Sequence, residues 1–249
     1  VNGTTYSYQL ALDVEGEDGR LLPRTRLATP GTESAWVADV ETNLVWKLAP
    51  DGRAALFGTG SFPDIRALAV NSVDGSCWIS DRFLARIIRI SSDGDDKVHP
   101  IELEEPGDLS VSPDGTTGWV FDRAQRRVYS FRLVSESDSA GGEEVNGLPA
   151  EDIWEVDASF AGSVMLSATK SACWIGDAIG ERILLIAEDG SRLGEWTDLE
   201  DLGHLAAGSA STRPLQAEAW ALVRSGTSLI HIADTGIPAE LDLPFDTGI

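Results

Sequence analysis

The chain has 249 residues, of which 42% are hydrophobic and 24% are charged, and its formal net charge is −22. So large an acidic excess argues against binding to nucleic acid or to an anionic membrane surface, because both need basic patches. No apolar run reaches the roughly 18–20 residues of a membrane-spanning helix, so we expect no membrane span.

The first 24 residues predict a hairpin, with a strand on either side of an acidic turn in YSYQLALDVEGEDGRLLP. The acids of DVEGEDG alternate as in a calcium-binding loop. Asp18, however, stands where such a loop needs Gly, and Arg24 stands where it needs Glu, so we interpret the segment as an ordinary acidic turn. The start at Val1 rather than Met favours a processed protein, secreted or periplasmic rather than cytoplasmic.

A unit of two strands recurs five times along the chain, and each copy begins with a tryptophan. The copies start 42, 41, 55 and 46 residues apart, at Trp36, Trp78, Trp119, Trp174 and Trp220. A short strand precedes each tryptophan strand, and a more polar strand follows each repeat. Four strands in every 41–55 residues predict an all-β fold, a β-propeller of four-stranded blades.

We expect one propeller domain over residues 1–249, with six blades favoured and five as the alternative. Residues 1–24 would complete a sixth blade or close a five-bladed ring. The third and fourth repeats are separated by SESDSAGGEEVNG (135–147), a polar and glycine-rich stretch that we expect to be a mobile loop.

The first repeat, AWVADVETNLVWKLAPDG, resembles the repeats of the NHL, streptogramin-lyase-like and SMP-30-like group of propellers. The resemblance extends over residues 25–245 and implies the propeller architecture. It implies little about activity, because such repeats occur in enzymes and in binding platforms alike.

Two recurring residue types predict scaffold roles. We expect the tryptophans to pack between blades with their indole N–H groups bonded locally. Four repeats place an Asp three residues after the tryptophan, and a carboxylate there can accept backbone N–H groups and fix the following turn; these are Asp39, Asp81, Asp122 and Asp177. Cys77 and Cys173 occupy the same position in separate repeats, too far apart for a disulfide, so we interpret them as small buried hydrophobes.

The candidate binding residues lie where the innermost strands begin, at the mouth of the expected channel. These positions differ from repeat to repeat, as a site requires and a scaffold does not; they are Arg26, Arg66, Asp108 and His204, with Asp64 and Asp157 close by. A further set, Arg82, Arg86 and Arg89, makes the second repeat together with Arg66 the most basic stretch of the chain.

From these residues we favour a non-enzymatic binding platform without a cofactor, whose partner is a protein or a carbohydrate-like ligand, or another small molecule. Its acidic surface would steer a basic partner. A second alternative is a structural subunit of a larger assembly.

The resemblance also implies an enzyme as an alternative, a metal-assisted lyase or lactonase. It would hold Ca²⁺ or Mg²⁺ with Asp64, Asp108 and Asp157 and use His204 as general acid and base. The pattern is incomplete, because no innermost strand begins with Glu, no Pro precedes His204, and Asn71 falls in a turn.

Overall fold

The computed structural model consists of antiparallel sheets. It describes residues 6–8, 26–30, 35–39, 42–49, 53–57, 62–93, 96–99, 101–133, 153–156, 158–207, 218–223, 228–233 and 239–242. Every regular element in these ranges is a β-strand, and they contain no helix that could cross a membrane.

The strands follow one another in chain order within each sheet, and neighbouring strands pair antiparallel. The first sheet contains β1 (Tyr6–Tyr8), β2 (Arg26–Pro30), β3 (Ala35–Asp39), β4 (Leu44–Leu48) and β5 (Ala54–Phe57). The second sheet contains β6 (Ile65–Val70), β7 (Cys77–Asp81), β8 (Arg86–Ile90) and β9 (Asp96–His99).

The other three sheets repeat the plan of the second sheet. The third contains β10 (Pro106–Val111), β11 (Thr117–Asp122), β12 (Arg127–Arg132) and β13 (Ile153–Glu155). The fourth contains β14 (Val164–Ala168), β15 (Ala172–Asp177), β16 (Arg182–Ala187) and β17 (Arg192–Trp196). The fifth contains β18 (His204–Ala207), β19 (Glu218–Val223), β20 (Ser228–Ala233) and β21 (Ala239–Asp242).

The inner strands β2, β6, β10, β14 and β18 pack side by side from one sheet to the next, as the innermost strands of a propeller do. Each inner strand begins where the second strand of its sheet ends: Ile65 lies opposite Asp81, and Pro106 lies opposite Asp122. We call this the mouth end of the sheets and the opposite end the far end.

The strand pattern predicted from the repeats is confirmed. The described residues form five sheets, and β1 extends the first sheet by pairing with β2. The preference for six blades, the closure of the ring and the single domain stay predictions. The rest of the predicted hairpin in residues 1–24 and the loop at 135–147 lie outside the described residues.

Four apolar interfaces join consecutive sheets, and each is built around the tryptophan of the earlier sheet. Trp36, Trp78, Trp119 and Trp174 are at most 2% exposed and lie in four separate core clusters. Each cluster combines one face of a sheet with the facing side of the next. The predicted packing role of these tryptophans is therefore confirmed.

Successive side chains along the second strand of a sheet point to opposite faces, and this explains where the two cysteines lie. Cys77 faces the first sheet, whereas its neighbour Trp78 faces the third. Cys173 likewise faces the third sheet while Trp174 faces the fifth. Both cysteines are free and fully buried in different interfaces, as expected, and burial raises the pKa of each thiol.

Four tryptophans depart from the expectation, and the buried indole N–H groups of two of them, Trp119 and Trp174, have no hydrogen-bond partner among the described residues. The Trp36 indole N–H donates to the Gly75 carbonyl of the next sheet at 3.2 Å, so the bond crosses the interface and the prediction of a local bond was wrong there. Trp220, in the fifth sheet, is 36% exposed and stacks on the ring of His231, with 4.4 Å between centroids.

The turns between the second and third strands share one backbone conformation. The residue just before the third strand has a positive φ of 57°, 53°, 58° and 49° in the first four sheets, at Asn43, Ala85, Arg126 and Glu181. Four unlike side chains therefore occupy one left-handed position, so the turn shape is set by the strands it joins as well as by local preference.

Replacing a buried interface tryptophan should cost much more stability than replacing the exposed one. We expect Trp174→Ala to lower the free energy of unfolding by about 3–5 kcal/mol, since it leaves a cavity between two sheets. The matched variant Trp220→Ala should cost less than about 2 kcal/mol, because part of this side chain already contacts solvent. Urea titration measures both, and equal losses would contradict the difference in packing.

Candidate functional site

The recurring aspartates at the mouth end form the scaffold of the site. Asp81 accepts the N–H of Leu84 in the following turn at 2.9 Å and the N–H of Asp64 ahead of the inner strand at 3.1 Å. Asp122 accepts four backbone N–H groups in the same two places, and Asp177 accepts one from its turn. All three are fully buried, so their predicted role as turn clamps is confirmed.

Two inner strands carry a bulge at the mouth end. The pairing of β6 with β7 passes from Ile65 to Ala67 and leaves Arg66 as the extra residue. The pairing of β10 with β11 shifts likewise around Asp108. Bulges redirect side chains, and the pairings of β14 and β18 show none. The bulges therefore coincide with two of the predicted binding residues.

An ion-pair network centred on Asp64 links the second and third sheets. The Asp64 carboxylate lies 3.0 Å from Arg66 Nε and 2.6 Å from Arg82 Nε. Arg82 also extends Nη1 to within 3.5 Å of Glu105 Oε1, in the segment leading into β10. Hydrogen bonding to Asp64 raises the pKa of Arg82. Each guanidinium is thereby held in one orientation at the mouth end.

Asp108 joins two inner strands. Its carboxylate accepts the N–H of Leu109 at 3.0 Å and that of Leu166, in β14, at 2.7 Å. Burial raises the pKa of Asp108 to about 6, although both hydrogen bonds act in the opposite direction. The charged form is therefore disfavoured in the fold, even though the side chain bridges the third and fourth sheets.

Serines continue this seam between inner strands away from the mouth end. Ser110 accepts the N–H of Ala168 at 3.0 Å, and Ser167 accepts the N–H of Ala207 at 2.8 Å. Except in the first sheet, where β1 pairs with β2, the inner strand is the edge strand of its sheet. Unpaired backbone N–H groups on such an edge are costly when buried. Side chains of one inner strand thus satisfy the backbone of the next.

The remaining predicted site residues are only partly brought together. His204 is exposed at the first residue of β18, at the mouth end. Arg26 begins β2 at the same end, opposite Asp39. Asp157 lies outside the described residues. Asn71 is buried in its turn, as predicted, and its side chain accepts the N–H of Val73 at 2.9 Å.

The basic set predicted in the second repeat is divided between the two ends of the sheet. Arg82 and Arg86 lie with Arg66 at the mouth end. Arg89 is nearly buried and pairs with Asp74, which lies in the far-end turn, at 2.9 Å. Treating the three arginines as one group was wrong, because Arg89 belongs to the interface of its sheet and not to the mouth.

The described acids at the mouth end do not form a site for a divalent metal. Within the described ranges, no three His, Cys, Asp or Glu side chains gather closely enough to hold an ion. The two described candidates have other partners, since Asp64 pairs with two arginines and Asp108 accepts two backbone N–H groups. Oxygen ligands for Ca²⁺ or Mg²⁺ need several such groups converging on one point.

Comparison with solved structures places this fold among known propellers. The model is similar to a virginiamycin B lyase from Staphylococcus aureus, with 17% identity, a TM-score of 0.66, and coverage of 88% of this chain and 70% of that one. A catalytically inactive His-to-Ala variant of that lyase, solved with quinupristin, gives 16% identity, a TM-score of 0.68, and coverage of 97% and 75%.

A nidogen/laminin complex also matches, with 13% identity, a TM-score of 0.57, and coverage of 81% of this chain and 72% of that chain. No family model and no curated protein sequence matches the chain. The resemblance to streptogramin-lyase-like and NHL propellers is thus confirmed at the level of the fold.

Sequence reasoning missed the partners that fix the mouth residues. The residues of the network were visible, but Arg82 and Glu105 are 23 positions apart and no spacing rule joins them. One feature of the sequence did indicate the bulge, namely the Pro-Gly pair of PGDLSVS. Pro and Gly within a strand often mark irregular pairing, and the pairing is irregular around Asp108.

The raised pKa of Asp108 gives a pH dependence with a definite sign. The folded state binds more protons than the unfolded chain between about pH 4 and pH 6, so wild type loses stability as the pH rises through this window. Asp108→Asn removes this titration. We therefore compare the free energies of unfolding of the two proteins. The difference, variant minus wild type, should become about 2–3 kcal/mol more positive between pH 4 and pH 7.

Urea titrations at several pH values measure this difference, and Asp93→Asn, which changes an exposed carboxylate, is the matched control. A difference between Asp108→Asn and wild type that stays constant from pH 4 to pH 7 would contradict the raised pKa.

Proposed function

We propose that the protein is a non-enzymatic propeller that binds a protein or carbohydrate-like partner across the mouth end of its sheets. The observation that carries the proposal is the network from Arg66 through Asp64 and Arg82 to Glu105. It holds charged groups in fixed orientations on a rigid scaffold, and such preorganisation reduces the entropy lost on binding.

Two further observations support this function. The mouth residues differ between sheets while the buried tryptophans and aspartates repeat, so the variable chemistry is concentrated on one surface. A propeller of similar fold occurs in a protein complex, that of nidogen with laminin. The net charge of −22 would speed the approach of partners with basic regions.

The second candidate is a lyase of the streptogramin type, favoured by the similar lyase folds and by the exposed His204 at the mouth. A general acid and base needs a substrate within hydrogen-bond reach, and an exposed histidine meets that requirement sterically. Against this candidate, the described acids Asp64 and Asp108 have other partners and do not gather into a metal site.

The binding function predicts a partner that depends on the mouth residues. Immobilised wild type and the variant Arg66→Ala/His204→Ala would be compared for captured proteins and glycans. The control Arg53→Ala/Lys170→Ala removes charges at the far end. We expect at least one partner retained by wild type and the control but reduced about fivefold or more by the mouth variant.

Calorimetry with that partner at about 0.05 M and about 0.3 M salt then tests whether the acidic surface attracts it. The affinity should fall at the higher salt concentration, because salt screens the attraction between the charges. Equal capture by all three proteins would overturn the assignment to the mouth end.

Activity against quinupristin separates the two candidates. We expect the compound to remain intact, by mass spectrometry, after incubation with the protein and Mg²⁺. Cleavage by wild type that disappears in His204→Ala would establish the lyase function and displace the binding proposal. Cleavage that survives His204→Ala would indicate a contaminating activity.

A further inference from the structure

Arginines are concentrated in two neighbouring turns at the mouth end. Five of the chain's 19 Lys and Arg residues fall in segments 82–86 and 123–127, namely Arg82, Arg86, Arg123, Arg126 and Arg127. The corresponding segments of the first and fourth sheets, 40–44 and 178–182, contain no arginine and one arginine (Arg182), respectively. Because all four turns share one backbone shape, the arginines are not a requirement of the turn.

The two arginine-rich turns flank one acidic segment and lie close together. Arg82 lies 3.5 Å from the Glu105 side chain, and the N–H of Arg123 donates to the Glu105 carbonyl at 2.8 Å. Arg66 joins the group through Asp64. We call these side chains the arginine surface: Arg66, Arg82, Arg86, Arg123, Arg126 and Arg127.

Half of this surface is available to a ligand. Arg66 and Arg82 pair with Asp64, and Arg127 pairs with Glu155. The other three, Arg86, Arg123 and Arg126, are exposed, and no carboxylate of the described residues lies within ion-pair distance of them. Phe83, in the same turn as Arg82, is 75% exposed.

We propose that the arginine surface binds an acidic peptide segment carrying an apolar side chain. The inference rests on the platform function proposed above: the partner's basic regions would be attracted by the acidic remainder of the protein, and its acidic segment would be recognised at the arginine surface. Guanidinium groups bind carboxylates through paired hydrogen bonds, and the planar fork favours this geometry. Arg66 lies on β6, Arg82 directly follows β7 and Arg86 begins β8. Neighbouring strands are about 4.8 Å apart, so the row of these three arginines extends over about 10 Å. An extended peptide places alternate side chains about 7 Å apart and can contact both ends of such a row.

The remaining features fit a short acidic peptide better than a long polyanion. Phe83 offers an apolar contact that a peptide side chain can cover. A long nucleic acid would extend past the arginine surface and be repelled by the rest of the chain, whose net charge is −22. A short acidic peptide stays within roughly one Debye length of the arginines and avoids most of this repulsion.

Fluorescence polarisation with three labelled nonapeptides tests the proposal: an acidic one of repeated Glu-Asp-Leu, a basic one of repeated Lys-Arg-Leu and a neutral one of repeated Gln-Asn-Leu. We expect the acidic peptide to bind wild type about tenfold or more tightly than the neutral peptide. The triple variant Arg86→Gln/Arg123→Gln/Arg126→Asn should lose this preference. Asn suits the left-handed position of residue 126, so the variant should keep its fold.

The matched control Arg53→Gln/Lys170→Gln/Arg192→Gln changes the net charge equally but at the far end, and it should bind the acidic peptide like wild type. Equal binding of that peptide to both triple variants would overturn the inference, as would no preference over the neutral peptide. Single-stranded DNA bound as tightly as the acidic peptide would show a general polyanion surface and also overturn it. Binding of the basic peptide alone would overturn this inference yet leave the platform function standing.

Discussion

The second, third and fourth sheets each have two apolar faces and can bury neither of them alone, and the whole arrangement depends on that constraint. The solution is a tryptophan on the second strand of one sheet that packs against the next, so that four interfaces share one design. Because the tryptophan occupies one face, its neighbours on the same strand, such as Cys77, are left to fill the interface on the other side. Stability therefore comes from contacts between neighbouring sheets.

This packing also determines where variable side chains can lie. The strand centres are occupied by buried apolar residues, and the aspartates at the strand ends are used by the turns. The starts of the inner strands and the turns at either end of the sheets are left for variable side chains, and the charged network lies at the mouth end. Recognition of a partner by the arginine surface and the Asp64 network would thus leave the core untouched.

The sequence was sufficient for the architecture because its signals repeat. A tryptophan followed by an aspartate three residues later identifies a strand and its turn in four of the five repeats. The mouth was harder to predict. The strand starts predict which residues lie there. Three features depend instead on contacts between residues distant in sequence: the bulge at Arg66, the desolvation of Asp108 and the position of Arg89 at the far end. No periodic pattern records such contacts.

The left-handed turn position has a consequence for how this surface can change. Asn43, Ala85, Arg126 and Glu181 all adopt it, so the backbone there accepts neutral, basic and acidic side chains without a change in shape. The residues of one turn would therefore fit the backbone of the corresponding turn in another sheet, and each turn carries a different charge. The charge of the mouth end can therefore change by substitution at these turns while the sheets keep their pairing.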